Sequence, residues 1–181
     1  ENVDKVKGFV FTHGHEDHIG AVPYILKELN APLYGTKLTM ALIDHKLKEH
    51  NILKTTKRKV VKYGQSINLG CFRIEFIRTN HSIADAAALA IYTPAGTIIH
   101  TGDFKVDYTP VFGDMIDLQR FGEIGKKGVL ALLCDSTNAL RPGFTMSERT
   151  VGKTFDNIFS EHRSNRIIVA TFASNVDRVQ Q

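Results

Sequence analysis

The fold is decided by one stretch near the start of the chain, GFVFTHGHEDH, which runs from Gly8 to His18. Its first half is apolar and predicts a buried strand over residues 7–12. Its second half, His13–His18, places three imidazoles and two carboxylates within six residues. Ionisable groups this dense are costly unless something pairs with them, and a bound cation does so. We therefore predict that a strand delivers this loop to a metal site.

Four side chains of the loop are candidate metal ligands: His13, His15, Asp17 and His18. Imidazole nitrogen and carboxylate oxygen suit Zn²⁺, and a carboxylate-bridged site also suits Mn²⁺. A short loop can direct its side chains to two neighbouring cations, and a pair about 3.5–4 Å apart can activate water for hydrolysis. The loop thus predicts half of a two-metal hydrolytic site.

Two further candidate ligands follow predicted strands later in the chain. His81 comes after a strand predicted over residues 72–78, and Asp103 after one predicted over 97–101. Taken alone, such a histidine is more often a surface or hydrogen-bonded residue, and a Gly-Asp pair is usually a turn. Because loops at strand ends collect ligands on a rigid sheet, we interpret both as ligands, with Asp103 able to bridge two metals.

The other histidines are assigned smaller roles. His100, in an apolar strand, is interpreted as packed or as a neighbour of the ligands. His45, His50 and His162 are interpreted as surface residues because they lie in helical surroundings rich in Lys and Glu.

Composition and length describe an ordinary globular protein. The chain has 181 residues, of which 43% are hydrophobic and 23% charged, enough for a core. No apolar stretch approaches the roughly 20 residues that span a bilayer, and no signal peptide is visible. Cys71 and Cys134 lie apart, and we interpret both as buried residues in a reducing compartment. We expect a cytoplasmic protein with no membrane partner.

The formal net charge is +4, and the basic residues are unevenly spread. Seven of them crowd one segment: Lys46, Lys48, Lys54, Lys57, Arg58, Lys59 and Lys62. Two interpretations stay open, a stripe that binds phosphates or a solvated helix end and loop, and the second is slightly favoured.

Strand and helix patterns alternate along the chain, which indicates an α/β fold with a stack of sheets flanked by helices. Helices are predicted over 19–29, with Pro23 in the first turn, from the N-cap Thr36 to Leu47, over 117–127, and over 147–162 with Ser147 as N-cap. Further strands are predicted over 32–35, 60–63, 66–69, 87–93, 129–134 and 166–171, with the strand 129–134 fully buried and the strand 72–78 half-buried.

The stretch Thr12–Gly20 resembles the H-x-H-x-D-H motif of the metallo-β-lactamase superfamily. His81 and Asp103 resemble its next two metal motifs, in order. The resemblance implies a first metal on His13, His15 and His81 and a second on Asp17 and His18, with Asp103 bridging them. It also implies an αββα sandwich, of which this chain would hold a part.

A narrower resemblance is to ribonuclease J, in the β-CASP branch that processes nucleic acids. Its motifs cover residues 79–83, 100–105, 135–138, 144–149 and 170–175, so the likeness runs along essentially the whole chain. It implies a partial metallo-β-lactamase domain over 1–134 and the start of an α/β β-CASP domain over 135–181. Asp135 would be the first acidic motif of that branch and, with Asp17 and Asp103, catalytic.

The activity that this resemblance implies is hydrolysis of RNA, both endonucleolytic and 5′-to-3′ exonucleolytic, with two divalent metal ions. The expected substrate is single-stranded RNA with a 5′-monophosphate, and the expected full-length protein is a homo-oligomer. No RNA-binding residue is identified. The comparison leads us to expect that both ends are missing here, including a further ligand His. At Asp177 the family tends to have His.

Two alternatives stay open. One is another hydrolase of this fold that acts on a small ester, thioester or lactam. Residues 135–138 and the strand–helix pattern beyond Asp103 argue against it, since a small-molecule hydrolase would not need them. The other is an inactive, truncated fragment, which the expected loss of both ends favours.

Overall fold

The structure is a computed structural model that describes residues 2–180, without the side chain of Asp177. The difference from the family at position 177, Asp in place of His, therefore lies outside what is described. The strands are β1 (Phe9–Val10), β2 (Leu33–Gly35), β3 (Arg58–Val60), β4 (Ser66–Leu69), β5 (Phe72–Arg78), β6 (Ala87–Thr93), β7 (Gly96–His100) and β8 (Ala131–Leu133). The helices are α1 (Glu16–Ile19), α2 (Val22–Glu28), α3 (Lys37–Glu49), α4 (Leu118–Gly125), α5 (Glu148–Glu161) and α6 (Val176–Gln180).

The strands form two sheets. The first has the order β1-β2-β3 and is parallel throughout. The second has the order β4-β5-β6-β7-β8, antiparallel except for its last pair, β7 and β8. Since β5, β7 and β8 all run in one direction, the loops that follow them leave the same edge of the second sheet.

The layers stack as helix, sheet, sheet and helix, which confirms the predicted α/β sandwich. Ile43 and Leu47 of α3 pack with Leu33 of the first sheet. Between the sheets, Val10 and Tyr34 contact a cluster centred on Phe76 and Leu89. On the far side, Ile124 of α4 packs against residues of β5, β6 and β7. Each sheet thus buries one face against the other sheet and one against helices.

Helix α3 shows how spacing and capping place an element. Its apolar residues Met40, Ile43 and Leu47 recur every three or four positions and are all buried. Thr36 stands at the predicted N-cap but makes no side-chain capping bond. Its hydroxyl instead donates to the carbonyl oxygen of Asp85 at 2.7 Å, and the Asp85 carboxylate accepts from the N–H of Leu38 at 2.8 Å. The cap therefore comes from a distant loop.

Strand β5 is buried on both faces over Ile74–Ile77, so the predicted half-buried pattern is wrong. Glu75, a charged residue in this alternating pattern, is only 5% exposed. The guanidinium of Arg120, on α4, donates to both oxygens of its carboxylate, at 2.6 and 2.9 Å, and the Tyr92 hydroxyl donates at 2.9 Å. A charged residue can occupy this face because a matching cation covers it.

Three other predictions are wrong. The apolar stretch 129–134 forms strand β8, but Leu132 is 61% and Leu133 52% exposed, because no neighbouring element among the described residues covers this edge. Residues 166–171 are all described and form no strand. Cys71 and Cys134 are exposed: the first lies in the β4–β5 turn, the second just after β8. Of the strand predicted over 60–63, only Val60 lies in a strand, since β3 spans Arg58–Val60.

Two of the seven clustered basic residues have acidic partners. Lys46 pairs with Glu16 at 2.5 Å, and Arg58 pairs with Asp44 at 2.6 Å. His45 is exposed beside Glu49, whereas His50 packs edge-on against Tyr24. Within residues 2–180, no helix is both long and apolar enough to cross a membrane. The predicted domain boundary after residue 134 follows β8 directly and stays a prediction.

We expect Glu75→Gln to lower the free energy of unfolding by about 2 kcal/mol at pH 7, since it removes the charge from a buried hydrogen-bonded pair. Hydrogen bonds from Arg120, and also from Tyr92, lower the pKa of the Glu75 carboxyl below 4.5, although burial opposes them. A lowered carboxyl pKa stabilises the protein above pH 4.5 and ceases to do so as the pH falls through the folded-state value. Urea unfolding at pH 7 and pH 4 should show the variant's deficit shrinking in acid.

The matched control is Glu123→Gln, which removes the exposed carboxylate on the other side of Arg120. It should leave the unfolding curve nearly unchanged. A deficit in Glu75→Gln that is the same at both pH values would contradict the assignment of an ionised, buried pair.

Candidate metal centre

The predicted ligands come from loops that follow three strands. His13 and His15 follow β1. The short helix α1 begins at Glu16, so Asp17 and His18 lie in its single turn. His81 follows β5, and Asp103 follows β7. The sheet edges therefore gather residues that are up to 90 positions apart in the sequence.

Thr12 joins these loops. The N–H of Ala87, at the start of β6, donates to the carbonyl oxygen of Thr12 at 2.8 Å, which links the first sheet to the second. The Thr12 hydroxyl lies 3.0 Å from Nδ1 of His13. Gly102, directly before Asp103, has a φ of 59° and lies so close that a Cβ there would be 2.9 Å from Cβ of Thr12. Only glycine fits this position without movement.

One group of candidate ligands contains three imidazoles and a carboxylate. The ligand atoms of His13, His15, His81 and Asp103 all lie within 4.8 Å of one another. Nε2 of His81 is 3.1 Å from Nδ1 of His15. Oδ2 of Asp103 is 3.6 Å from Nε2 of His81 and 3.8 Å from Nε2 of His13. Donors at these separations can surround a single cation.

A second group lies beside the first and shares one residue with it. Asp17, His18 and Asp103 also have ligand atoms within 4.8 Å of one another. Nε2 of His18 is 3.5 Å from Oδ2 of Asp103 and 3.6 Å from Oδ2 of Asp17. The structure thus places Asp103 between two donor sets, where a bridging ligand would stand.

The protonation of the imidazoles suits a cation. Burial, and then the nearby imidazoles, lower the pKa of His13 from 6.5 to about 3. Burial also lowers the pKa of His15 and of His81. At neutral pH these rings are therefore neutral and keep a lone pair for a metal.

His13 shows the clearest sign of a missing partner. Its side chain is fully buried, and within residues 2–180 its Nε2 has no hydrogen-bond partner. If its Nδ1 donates to the Thr12 hydroxyl, the unpartnered Nε2 carries the lone pair. A buried polar atom without a partner is costly, and a cation bound there would remove the cost. The residues present therefore fit a metal site.

Asp135 lies next to the site but belongs to neither ligand group. Its carboxylate accepts from the backbone N–H of Thr137 at 2.9 Å, and this is the main reason why its pKa is lowered. The N–H of Asp135 donates to the Thr101 hydroxyl at 3.0 Å, two residues before Asp103, which places Asp135 beside the loop that carries this ligand. Asp135 is thus ionised at neutral pH at the rim of the cluster.

Three residues outside the ligand groups support the site. His100 was predicted to be packed or to neighbour the ligands, whereas Thr12 and Asp85 were not singled out from the sequence. Nδ1 of His100 accepts from the N–H of Gly102 at 2.9 Å, so this histidine shapes the turn that presents Asp103. In the sequence, Thr12 stands out only as the residue before a metal motif. A hydroxyl next to a ligand histidine is the one sequence feature that could have pointed to its role. Asp85 left no signal in the sequence, because its partners are more than 20 residues away.

We expect Gly102→Ala to reduce the amount of metal bound after dialysis by at least about tenfold, because an added methyl group would displace Thr12 and the Asp103 turn. Gly113→Ala is the matched control: Gly113 has a φ of 76°, but a Cβ added there would have no atom within 4 Å. It should cost about 1 kcal/mol of stability and leave metal content unchanged. Equal metal content in both variants would contradict the role given to close packing at Gly102.

Residues 1–122 match the family described as beta-lactamase superfamily domain. This match confirms the predicted metallo-β-lactamase-type fold. Ribonuclease J of Synechocystis sp. is 51% identical over 99% of this chain, and ribonuclease J of Helicobacter pylori strain J99 is 51% identical over 98%. A solved structure, of a protein of unknown function from Enterococcus faecalis V583, superimposes with a TM-score of 0.67 at 19% identity, over 96% of this chain and 43% of that one. That last likeness concerns the fold alone.

The chain is short beside these relatives. It spans 28% of the length of the Synechocystis protein and 26% of the Helicobacter protein. The likeness to both therefore covers nearly all of this chain and about a quarter of each relative.

Proposed function

Since the chain belongs to the β-lactamase superfamily, we propose that it carries the metal-binding part of a ribonuclease. The observation that carries this proposal is the convergence of four histidines and two aspartates on one cluster shared through Asp103. The proposed substrate follows from the relatives, since the proteins named ribonuclease J match this chain at 51% identity from end to end.

Six side chains would hold two divalent cations. His13, His15, His81 and Asp103 would hold the first, and Asp17, His18 and Asp103 the second. Zn²⁺ is the better match for a set rich in imidazole, and Mn²⁺ is the alternative. When bound, such a pair neutralises charge that develops on a phosphodiester and lowers the pKa of the attacking water.

The three carboxylates have distinct positions in the proposed reaction. Asp103 lies between the ligand groups, with its Oδ2 3.8, 3.5 and 3.6 Å from Nε2 of His13, His18 and His81. Asp17 is the most exposed of the three, with 77% of its side chain accessible, and stands where substrate would approach. Asp135, ionised and held next to the Asp103 loop by the bond from its N–H to Thr101, can accept a hydrogen bond from water or from a ribose hydroxyl.

We propose single-stranded RNA with a 5′-monophosphate as the substrate, and both endonucleolytic and 5′-to-3′ exonucleolytic cleavage as the activity. The name of the relatives supports RNA as the substrate class. The preference for a 5′-phosphate, the homo-oligomeric state and the cytoplasmic location rest on the family resemblance of the sequence and stay predictions. The start of a β-CASP domain at residue 135 is a proposal of the same kind.

The test uses the full-length protein and one labelled RNA prepared with a 5′-monophosphate, a 5′-triphosphate or a 5′-hydroxyl. We expect the monophosphate form to be degraded fastest, and chelation of the metals to abolish cleavage. Asp103→Asn and His15→Ala should each lower the cleavage rate by more than about a hundredfold, since each removes a ligand and not merely one of its neighbours.

His45→Ala is the control, because His45 is exposed and lies outside the cluster. Its cleavage rate should equal that of the unsubstituted protein. Nitrocefin and a glutathione thioester serve as competing substrates. Turnover of either one, with no cleavage of any of the three RNAs, would replace the ribonuclease assignment with that of a small-molecule hydrolase.

A further inference from the structure

We infer that Asp85 is a positioning residue, which fixes His81 relative to the loop His13–His18 by tying the His81 loop to the start of helix α3. The inference rests on the proposed metal site. It concerns a residue that binds no metal, lies four positions from the ligand and acts through backbone and packing.

The backbone of Asp85 adopts a conformation that needs support. Its φ is 66°, in the left-handed region, and among the described residues other than glycine only Asn51 shares such a value. Asp and Asn tolerate this region better than other side chains, but it still costs energy. A strained residue persists when its surroundings hold it, so its contacts matter.

Three groups hold Asp85 in place. The N–H of Leu38, in the first turn of α3, donates to its Oδ2 at 2.8 Å. The Thr36 hydroxyl donates to its carbonyl oxygen at 2.7 Å. The Tyr63 hydroxyl, 3.4 Å from Oδ1, also donates to the carbonyl oxygen of Ala86 at 3.0 Å. The loop after His81 is therefore fastened to α3 and to the segment that follows β3.

The same helix supports the other ligand loop. A Cβ at Gly14 would lie 2.5 Å from Cδ1 of Leu42 and 3.5 Å from Cα of Thr39, so the backbone between His13 and His15 rests directly on α3. Cδ1 of Ile83, from the His81 loop, would be 3.6 Å from the same point. Both ligand loops thus contact one helix, and each contacts the other.

A purely structural cap would not need this arrangement. Thr36 precedes α3, and its own hydroxyl could accept from the first turn, as threonine does at many helix starts. The hydroxyl instead donates to the Asp85 carbonyl oxygen and lies 2.9 Å from the Thr39 hydroxyl, and Asp85 supplies the backbone cap from 47 residues away. A long-range hydrogen bond from Asp85 therefore replaces a backbone cap from Thr36. This bond connects α3 to the loop of His81, and Nε2 of His81 lies 3.1 Å from Nδ1 of His15.

The experiment measures Zn²⁺ affinity of the full-length protein by competition with a chromophoric chelator. Asp85→Gly removes the carboxylate and relieves the backbone strain, and we expect it to weaken Zn²⁺ binding about tenfold. Asp85→Asn keeps an acceptor oxygen and tolerates the left-handed region, so it should bind within about twofold of the unsubstituted protein. Asn51→Gly is the matched control at the other left-handed residue and should not change affinity.

Two further measurements separate positioning from stability. The thermal unfolding midpoint in EDTA shows whether each variant is folded at the assay temperature, and Co²⁺ substitution reports ligand geometry through the visible d–d bands. We expect the Asp85→Gly bands to weaken while the metal-free protein remains folded. Tyr63→Phe removes one hydroxyl and should weaken Zn²⁺ binding about threefold, so it decides the matter if Asp85→Gly does not fold.

The outcomes distinguish the two proposals. Absence of both Zn²⁺ and Mn²⁺ binding by the unsubstituted protein would overturn the proposed function and this inference with it. Tight binding by the unsubstituted protein that is unchanged in folded Asp85→Gly, or in Tyr63→Phe if the glycine variant is unfolded, would overturn the inference alone. Weakened binding with rescue in Asp85→Asn would establish it.

Discussion

The hydrogen bond from the Ala87 N–H to the Thr12 carbonyl oxygen, 2.8 Å long, is the point on which the site depends. It joins the segment just after β1 to the start of β6, and so connects the two sheets where their ligand loops emerge. Gly102 packs against the same threonine, which brings Asp103 to the loop that carries His13. Because the ligands come from both sheets, the edges of the two sheets must keep a constant position relative to each other. This hydrogen bond helps to hold that position.

The cluster itself would be unfavourable in a protein with no cation to bind. Four imidazoles and two carboxylates face one another, and burial keeps three of the rings neutral. His13 is buried with one ring nitrogen unpartnered. Two buried carboxylates elsewhere do have partners: that of Glu75 has Arg120 and Tyr92, and that of Asp107 accepts from two backbone N–H groups. In the described part of the chain, Thr79 and Arg178 each have one buried atom without a partner as well, but the atom of His13 lies where the proposed function needs a free ligand.

Most of the elements could be predicted from local patterns, because spacing and turn residues act over a few positions. The hairpin of β6 and β7, helix α4 with its N-cap Asp117, and helix α5 with Ser147 follow the expected bounds closely. The errors concern what covers a strand. The alternating pattern of β5 predicts one solvent-facing side, but α4 packs against that side. The apolar sequence of β8 predicts burial, but its leucines are exposed. Periodicity describes a strand's own faces and not its neighbours.

The sequence by itself determined the chemistry of the site, because the types of side chain and their spacing in His13–His18, at His81 and at Asp103 already specify which donors a loop can present. It could not determine that these donors meet within 4.8 Å in two groups sharing Asp103, nor that Asp135 bonds through its N–H to Thr101, two residues before Asp103. Nor could it show that Asp85 caps a helix 47 residues away. Those facts depend on how two sheets and α3 pack together, and packing joins residues whose separation along the chain carries no local pattern.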